Sequence, residues 1–476
     1  MPPQELDRAD LVVVANRLPV RRVATPDGST WATSPGGLVG ALAPTLQVRD
    51  GAWVGWLGDD GGDTEPFEHD GMRLVPVSLS AEEIADFYEG FSNGTLWPLY
   101  HDAIRPPEFH REWWRAYVDV NRRYAEAAAG AAGPGAHIWV HDYHLQLVPA
   151  MLRELRPDVV IGFFLHIPFP PQELFMRLPW RRELVEGMLG ADVVGFQVPV
   201  AAQNFAVLAR RLTRASGSLP TLSYRGRHVR VDAFPISIDV QRYEELAARE
   251  ETRTEVKALR ERLGNPRTIV LGVDRLDYTK GIEARLKAFR ELLQDGRVRV
   301  PDVVMVQIAV PSREDVAAYG EERDRIERMV GELNGDFAEM GAPAVHYLHR
   351  SIDTDELVAL YCAADVMFVT PYRDGMNLVA KEYVACRIDG SGQLILSEFA
   401  GAARELTAAR LVNPHDTAGL KEALVDALAT PPAAARRRMA RLRRTVRSWS
   451  VYDWADAFLR AMGTMAPDGA EGSGGS

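Results

Sequence analysis

Short runs of β-branched and aromatic residues alternate with longer amphipathic stretches along almost the whole chain, and no other feature restricts its fold so strongly. "LVVVA" (11–15), "HIWV" (137–140), "VVIGFFL" (159–165) and "DVVGF" (192–196) read as one series of strands. A charged helical stretch, "VQRYEELAAREETRTEVKALRERLG", interrupts it. The series then begins again with "TIVLGV" (268–273), "DVVMVQIA" (302–309), "VMFVT" (366–370) and "QLILS" (393–397), with helices such as "GIEARLKAFRELL" between them. Strands separated by helix-length segments are the pattern of βαβ units in a parallel sheet rather than of a sandwich. The 476 residues exceed one ordinary domain of roughly 100 to 200 residues. The reading is an α/β chain of two Rossmann-like lobes, with the boundary near Pro235 and a flexible Gly/Ser-rich tail, "APDGAEGSGGS".

Charge and cysteine usage narrow the partners. A formal net charge of -11 argues against general binding to nucleic acid or to an acidic membrane, because either needs basic surface to neutralise phosphates. An anionic ligand therefore needs its own local cluster of Arg and Lys. The Arg-rich run "PPAAARRRMARLRRTVRSW" reads as a solvated helix face. Cys362 and Cys386 lack the paired spacing of a metal site and read as buried, reduced thiols. The start of the chain lacks the basic and apolar regions of a signal peptide, and no apolar run approaches the ~18 residues of a membrane span. A cytoplasmic protein without a membrane partner is expected.

Chemistry-bearing residues gather just past the strands. G-x-G-x-x-G is absent after the first strand, which weakens a dinucleotide reading. In "SPGGLVGAL", Gly36 and Gly37 precede an apolar helix and suit either a close ligand approach or an ordinary turn. "GVDRLDYTKGI" places Arg275 and Lys280 on one strand-to-helix loop, a fit for a diphosphate. Arg313 in "QIAVPSRED" and Arg17 in "VVVANRLPV" occupy similar strand ends. "WVHDYHL" and "FFLHIPFPP" present His141, Asp142, Tyr143, His144 and His166, whose spacings match no zinc helix motif but suit sugar hydroxyls. Trp53, Trp56, Tyr88 and Trp97 supply aromatic faces. In "PYRDGMNLVAKEYVAC", Asn377 is a candidate N-cap whose helix start offers backbone N–H groups to phosphate oxygens. Glu382 suits a vicinal diol such as a ribose, and Asp374 the hydroxyls of a hexose.

These motifs, together with "FSNGTLWP" and "SEFAGAAREL", resemble in content and order the trehalose-6-phosphate synthase family of retaining glycosyltransferases, over about residues 11–410. The resemblance implies a GT-B fold with an interdomain active-site cleft. It places an acceptor lobe at residues 1–235, joined by a closing helix at 452–465, a donor lobe at 236–451, and a tail at 466–476. It further implies transfer of glucose from UDP-, GDP- or ADP-glucose to glucose 6-phosphate, giving α,α-trehalose 6-phosphate.

On this sequence the resemblance implies that Arg275 and Lys280 hold the donor diphosphate and that Gly36 and Gly37 line the donor side. Leu378, Val379, Ala380, Lys381 and Glu382 form the nucleotide-binding helix start, with Glu382 on the ribose. Asp374 and His166 contact the transferred glucose. Arg17, Tyr143 and Arg313 take the acceptor phosphate, while Trp56, Tyr88 and Asp142 position the acceptor sugar. Trp97 and Ile167 shape the pocket for the α-anomer. Ile352 stands where some members carry an aromatic residue near the nucleobase, so the donor base stays open.

The implied mechanism is front-face displacement through an oxocarbenium-like transition state, with the leaving diphosphate helping to deprotonate the acceptor. It needs no enzymic nucleophile, metal or other cofactor, and the chain has neither an Asp-x-Asp metal motif nor a phosphatase signature. Alternatives are a pseudo-glycosyltransferase coupling cyclitol substrates, a non-catalytic sugar-phosphate sensor of the same fold and, more distantly, a nicotinamide or pyridoxal phosphate enzyme. Homo-oligomerisation is compatible with the sequence.

Overall fold

The computed structural model describes residues 8–25, 28–33, 42–43, 46, 51–60, 62, 64–313 and 316–463. Gly36, Gly37 and the expected tail at 466–476 lie outside them. The chain divides into two units: the first runs to Ile236 and resumes at Val451, and the second spans Ser237–Ser450. No helix among the described residues is long and apolar enough to cross a membrane.

Unit 1 contains β1 (Ala9–Arg17), the hairpin β2 (Val20–Thr25) and β3 (Gly28–Thr33), β4 (Ala52–Trp56), β5 (Phe67–His69), β6 (Met72–Pro76), β7 (Ala132–His141), β8 (Val160–Phe164), β9 (Val193–Phe196), β10 (Ser216–Ser218), β11 (Thr221–Tyr224) and β12 (Arg227–Ala233). Ten of these form one sheet in the order β10-β11-β12-β9-β8-β7-β1-β4-β6-β5. Its central strands pair in parallel and are buried on both faces, with Val12, Val13 and Val14 at zero exposure. That burial explains why they read as unbroken apolar runs.

The two edges depart from the expected all-parallel sheet. β5–β6 and β10–β11–β12 are antiparallel. Asp70–Gly71 and Arg225–Gly226 take positive φ at both positions of two-residue turns, the geometry that matches strand twist in a hairpin.

Unit 2 contains β13 (Thr268–Arg275), β14 (Val303–Val310), β15 (Val345–Leu348), β16 (Val366–Val369), β17 (Gln393–Ser397) and β18 (Arg410–Val412). They form a wholly parallel sheet in the order β15-β14-β13-β16-β17-β18. Strand order reverses at β1/β7 in unit 1 and at β13/β16 in unit 2. Loops leaving the carboxyl ends of strands diverge at such a point and open a crevice for ligand.

The helix Val451–Ala461 belongs to unit 1 and begins one residue before the expected 452. Phe458 stacks on Trp139 at 4.5 Å, and Trp454 lies 5.1 Å from the same ring. Bare backbone beneath the helix makes this approach possible, since a Cβ on Gly195 would come within 2.6 Å of the Phe458 ring.

Unit 2 is organised around a buried charge. Arg285, on the helix Ile282–Gln294, has no exposed surface. Its guanidinium pairs with Asp274 at 2.7 Å and donates to Thr370 Oγ1 (3.1 Å), Gln307 Oε1 (3.3 Å) and the Lys280 carbonyl (3.1 Å). These partners come from β13, β14, the residue after β16 and the loop after β13. Burial pushes the Asp274 carboxyl above its usual range, and Arg285 and Lys280 pull against it. Removing one partner of such a pair strands the other. Arg285→Met is expected to lower the stability of unit 2 by about 3 kcal/mol in chemical denaturation, and an unchanged midpoint would contradict this role.

Candidate sites at the strand ends of each unit

In unit 1 the sequence-predicted residues converge on the carboxyl ends of β1, β4, β7 and β8. Arg17 closes β1, and its guanidinium lies 4.1 Å from the Trp56 ring centre and 5.6 Å from that of Tyr88. A cation over an indole face is held in place without forfeiting its charge. Trp56 is itself fixed, because its indole donates to the Asp59 carbonyl at 2.7 Å. Gly58 has φ +103°, and a Cβ there would collide with the Arg17 guanidinium. Trp53 is core rather than ligand wall: it is 1 % exposed and its indole donates to the Arg17 carbonyl at 3.1 Å.

Tyr88 lies on a wide-turned helix, Ile84–Leu96, followed directly by Trp97. Its ring stacks on His144 at 5.8 Å. Buried Asn93 binds this region together by donating to the Tyr88 carbonyl (2.7 Å) and accepting from the Tyr143 hydroxyl (2.8 Å). The Tyr143 side chain is thus buried, tilted against Trp97 at 5.6 Å.

Asp142 follows β7 with φ +73° and accepts from the His166 backbone at 3.2 Å. The His166 ring meets His141 at 3.1 Å and Gln197 at 3.5 Å. Burial drives the His166 pKa down to about 3 and that of His141 well below the usual range. Both are neutral at pH 7, so the pair can exchange hydrogen bonds with hydroxyls but adds no charge. Ile167 is buried beside it.

In unit 2 the loop after β13 and the loop after β16 meet. Lys280 Nζ donates to Asp374 Oδ2 at 2.7 Å, and Asn377 Nδ2 to the same oxygen at 3.2 Å. Both members of the ion pair are mostly buried, at 11 % and 15 % side-chain exposure. Asn377 has φ +91° and caps the helix Leu378–Cys386 by accepting from Ala380 N at 3.0 Å. Leu378 and Val379 are half-exposed at the start of this helix, where first-turn amides point along the axis toward an anion. The Asp374 segment is held by main-chain bonds to Phe399 and Gly401 in "SEFAGAAREL" (3.2 Å each).

Arg275 is exposed at the end of β13. Arg313 instead packs against buried Asp277, 3.5 Å away, and donates to the Tyr319 hydroxyl. Burial would raise the Asp277 pKa, but Arg313, Arg275 and Lys280 overcome it and hold the carboxyl below its usual range. Lys381 is buried and its ammonium pairs with Glu405 at 2.8 Å. Glu382 accepts from the Tyr361 hydroxyl at 2.8 Å and from Tyr243, and burial raises its pKa. Ile352 is half-buried just ahead of Asp353, which caps the helix Thr354–Ala363.

Arg285, Asp274, Asn93 and Gly58 are the positioning residues that sequence reasoning missed. Asn93 lies inside the quoted "FSNGTLWP" and Gly58 follows "GWL", so their positions were visible though their contacts were not. Among the described residues, no group of three or more His, Cys, Asp and Glu is arranged to hold a metal ion.

Two Rossmann-like units, each with polar and cationic groups at its strand-order reversal, form the GT-B class of α/β architecture found in glycosyltransferases. The family model for glycosyltransferase family 20 matches residues 9–464, and the chain belongs to that family. A protein described as trehalose-6-phosphate synthase from Mycolicibacterium gilvum is 58 % identical over 476 residues, covering 97 % of this chain and 95 % of the relative. The crystal structure of an α,α-trehalose-phosphate synthase (UDP-forming) from Burkholderia vietnamiensis is 37 % identical and superposes with a TM-score of 0.88, over 96 % of this chain and 97 % of that one. That of the Burkholderia xenovorans enzyme in complex with glucose-6-phosphate is 35 % identical, with a TM-score of 0.87, over 96 % and 100 %.

Two outcomes follow for unit 1. Gly58→Ala is expected to displace the Arg17 guanidinium and alter the fluorescence of Trp56, whereas an unchanged spectrum in a Trp56-dependent difference measurement would show that Arg17 tolerates the extra carbon. A histidine whose folded pKa is depressed adds stability that is fully present above its unfolded value of about 6.5 and lost as pH falls toward the folded value. His166→Gln should therefore reduce the loss of stability between pH 7 and pH 5 by about 2 kcal/mol, read by urea denaturation at each pH. An identical loss in both proteins would contradict the buried neutral ring.

Proposed function

We propose that the chain is a glucosyltransferase that moves glucose, with retention, from a nucleoside diphosphate glucose to glucose 6-phosphate and so makes α,α-trehalose 6-phosphate. The observation that carries this reading is the Lys280–Asp374–Asn377 cluster at the β13/β16 strand ends, next to the capped start of the helix Leu378–Cys386. It places a cation, a hydroxyl-binding carboxylate and a helix N-terminus within one loop pair, which suits the adjoining diphosphate and hexose of one donor. UDP-glucose is the first donor to test, because the solved relative from Burkholderia vietnamiensis is described as UDP-forming.

In the reaction the bond from glucose C1 to the diphosphate oxygen breaks as the acceptor hydroxyl oxygen approaches the same face. The acceptor proton passes to the departing diphosphate. Arg275, Lys280 and the amides at Leu378 and Val379 take up the charge that develops on the leaving group. Asp374 and neutral His166 orient glucose hydroxyls, and Glu382, steadied by Tyr361 and Tyr243, receives the ribose diol. Arg17, positioned by Trp56, takes the acceptor phosphate. With two cations and a helix start at the diphosphate, the scheme requires no metal.

Release of nucleoside diphosphate should depend on glucose 6-phosphate when the protein is incubated with UDP-, GDP- and ADP-glucose in turn. Absence of turnover with every donor would overturn the proposal. Arg275→Ala and Lys280→Ala are each expected to remove about 2 to 5 kcal/mol of transition-state stabilisation, read as kcat/KM for the donor, and near-normal kinetics in both would reject the diphosphate assignment. Arg313→Ala should raise the KM for glucose 6-phosphate more than that for the donor. The opposite pattern, a selective donor defect, would count against its phosphate role.

A further inference from the structure

Behind the helix Leu378–Cys386 lies a cavity of about 440 Å³ whose walls include Cys362, Cys386, Thr252, Arg253, Ile388 and Asp389. Its volume falls within the range of small-molecule sites. Its place in the fold is more informative than its size. The helices Val240–Ala248, Thr354–Ala363 and Leu378–Cys386 grip Glu382 through Tyr243 and Tyr361. The same three helices reach the cavity one turn or one residue further on, through Ala247, Cys362 and Cys386. Glu382 and the two thiols thus belong to one helical junction.

The thiols are arranged as an unequal pair. Cys362 is half-buried, and its Sγ donates to the Cys386 carbonyl at 3.6 Å. The Cys386 thiol hydrogen-bonds Cys362 in turn and lowers its pKa, against the opposing effect of burial, and the Arg387 charge adds to the lowering. Burial pushes the Cys386 thiol well up. Arg387 is 3 % exposed and fixed, donating to the carbonyls of Tyr361 (3.2 Å), Cys362 (2.5 Å) and Ala364 (2.8 Å). A partly open thiol beside a buried guanidinium, backed by a second thiol, has the layout of an attacking and a resolving cysteine. Arg253, paired with Glu250 at 3.1 Å, and Asp389, paired with Arg387 at 3.1 Å, stand at the cavity wall with opposite charges, and the ends of a zwitterionic, peptide-like disulfide could join these pairs.

We propose that this cavity is a covalent modification site, in which Cys362 accepts an RS group from a low-molecular-weight disulfide with charged ends and Cys386 then closes an internal Cys362–Cys386 disulfide that alters the hold on Glu382. In the first step the Cys362 thiolate attacks one sulfur of RS–SR; that S–S bond breaks, and RS⁻ leaves to take up a proton. In the second, Cys386 attacks the Cys362 sulfur and its proton goes to the second departing RS⁻. Two protein thiols are oxidised and one external disulfide is reduced to two RSH. The effect on Glu382 rests on its proposed place at the donor ribose, whereas the thiol chemistry does not.

The full-length protein is treated with oxidised glutathione, free thiols are titrated after unfolding, and cross-linked peptides are identified by mass. Wild type should lose both thiols and yield a Cys362–Cys386 peptide. Cys386→Ser should stop at a glutathione adduct on Cys362, and Cys362→Ser should stay unmodified while folded. The oxidised wild type should show a several-fold higher donor KM, restored by dithiothreitol, with no such change in Cys362→Ser. Failure of both thiols to react in the folded protein, or modification of Cys386 in Cys362→Ser, would overturn the site. A cross-link that leaves donor KM unchanged would overturn its coupling to Glu382. If the reduced protein has no turnover at all, the proposed function fails, and the thiol count and peptide masses still decide the modification site.

Discussion

The Arg285–Asp274 pair is the contact on which the donor-side arrangement rests. A guanidinium with five donors in a rigid plane can tie several chain segments into one geometry, which a lysine ammonium cannot. Here it joins the carboxyl-end halves of β13 and β14, Thr370 after β16, and the carbonyl of Lys280 itself. The cost of burying it is offset by partners on every side. The Lys280 ammonium consequently meets Asp374 from a turn whose backbone is already fixed. Gly281, at φ +62°, completes that turn, with its Cα pressed so close to the Thr370 carbonyl that a Cβ would not fit.

Unit 1 reaches comparable order by another route. Its strand-end residues are held by aromatic packing and neutral hydrogen bonds: Arg17 over Trp56, Tyr88 on His144, Asn93 between Tyr88 and Tyr143, and His141 against His166. Neutral groups in a dry wall can recognise hydroxyls without the desolvation penalty of a charge. The difference between the units follows the ligands proposed for them: the donor diphosphate needs charge compensation, whereas the glucose 6-phosphate acceptor combines a hexose ring, which needs shape and hydrogen bonds, with one phosphate assigned to Arg17.

The architecture was largely legible because parallel strands buried on both faces write themselves as apolar runs; all eight runs read as strands coincide with strands of the two sheets. Antiparallel edges were overlooked because their strands are short and partly exposed, although Asp70–Gly71 is a recognisable hairpin turn. Asn377 was legible as a cap because a short polar side chain before an apolar helix has few other uses. Arg285 was not: within "GIEARLKAFRELL" it resembles any solvated helix charge, and only the tertiary fold places Asp274, Gln307 and Thr370 around it. The same limit applies to Lys381, whose side chain turns into a buried pair with Glu405, and to Cys362, expected to be buried but open to a cavity.

The central claim is that the chain joins two glucose units through their anomeric carbons with retention at the donor. Proton NMR of the product formed from UDP-glucose and glucose 6-phosphate tests it most directly. The account predicts one non-reducing disaccharide phosphate with two α-anomeric signals, both with small axial–equatorial couplings. A β-anomeric signal with a large coupling, or a product that keeps a free reducing end, would contradict it.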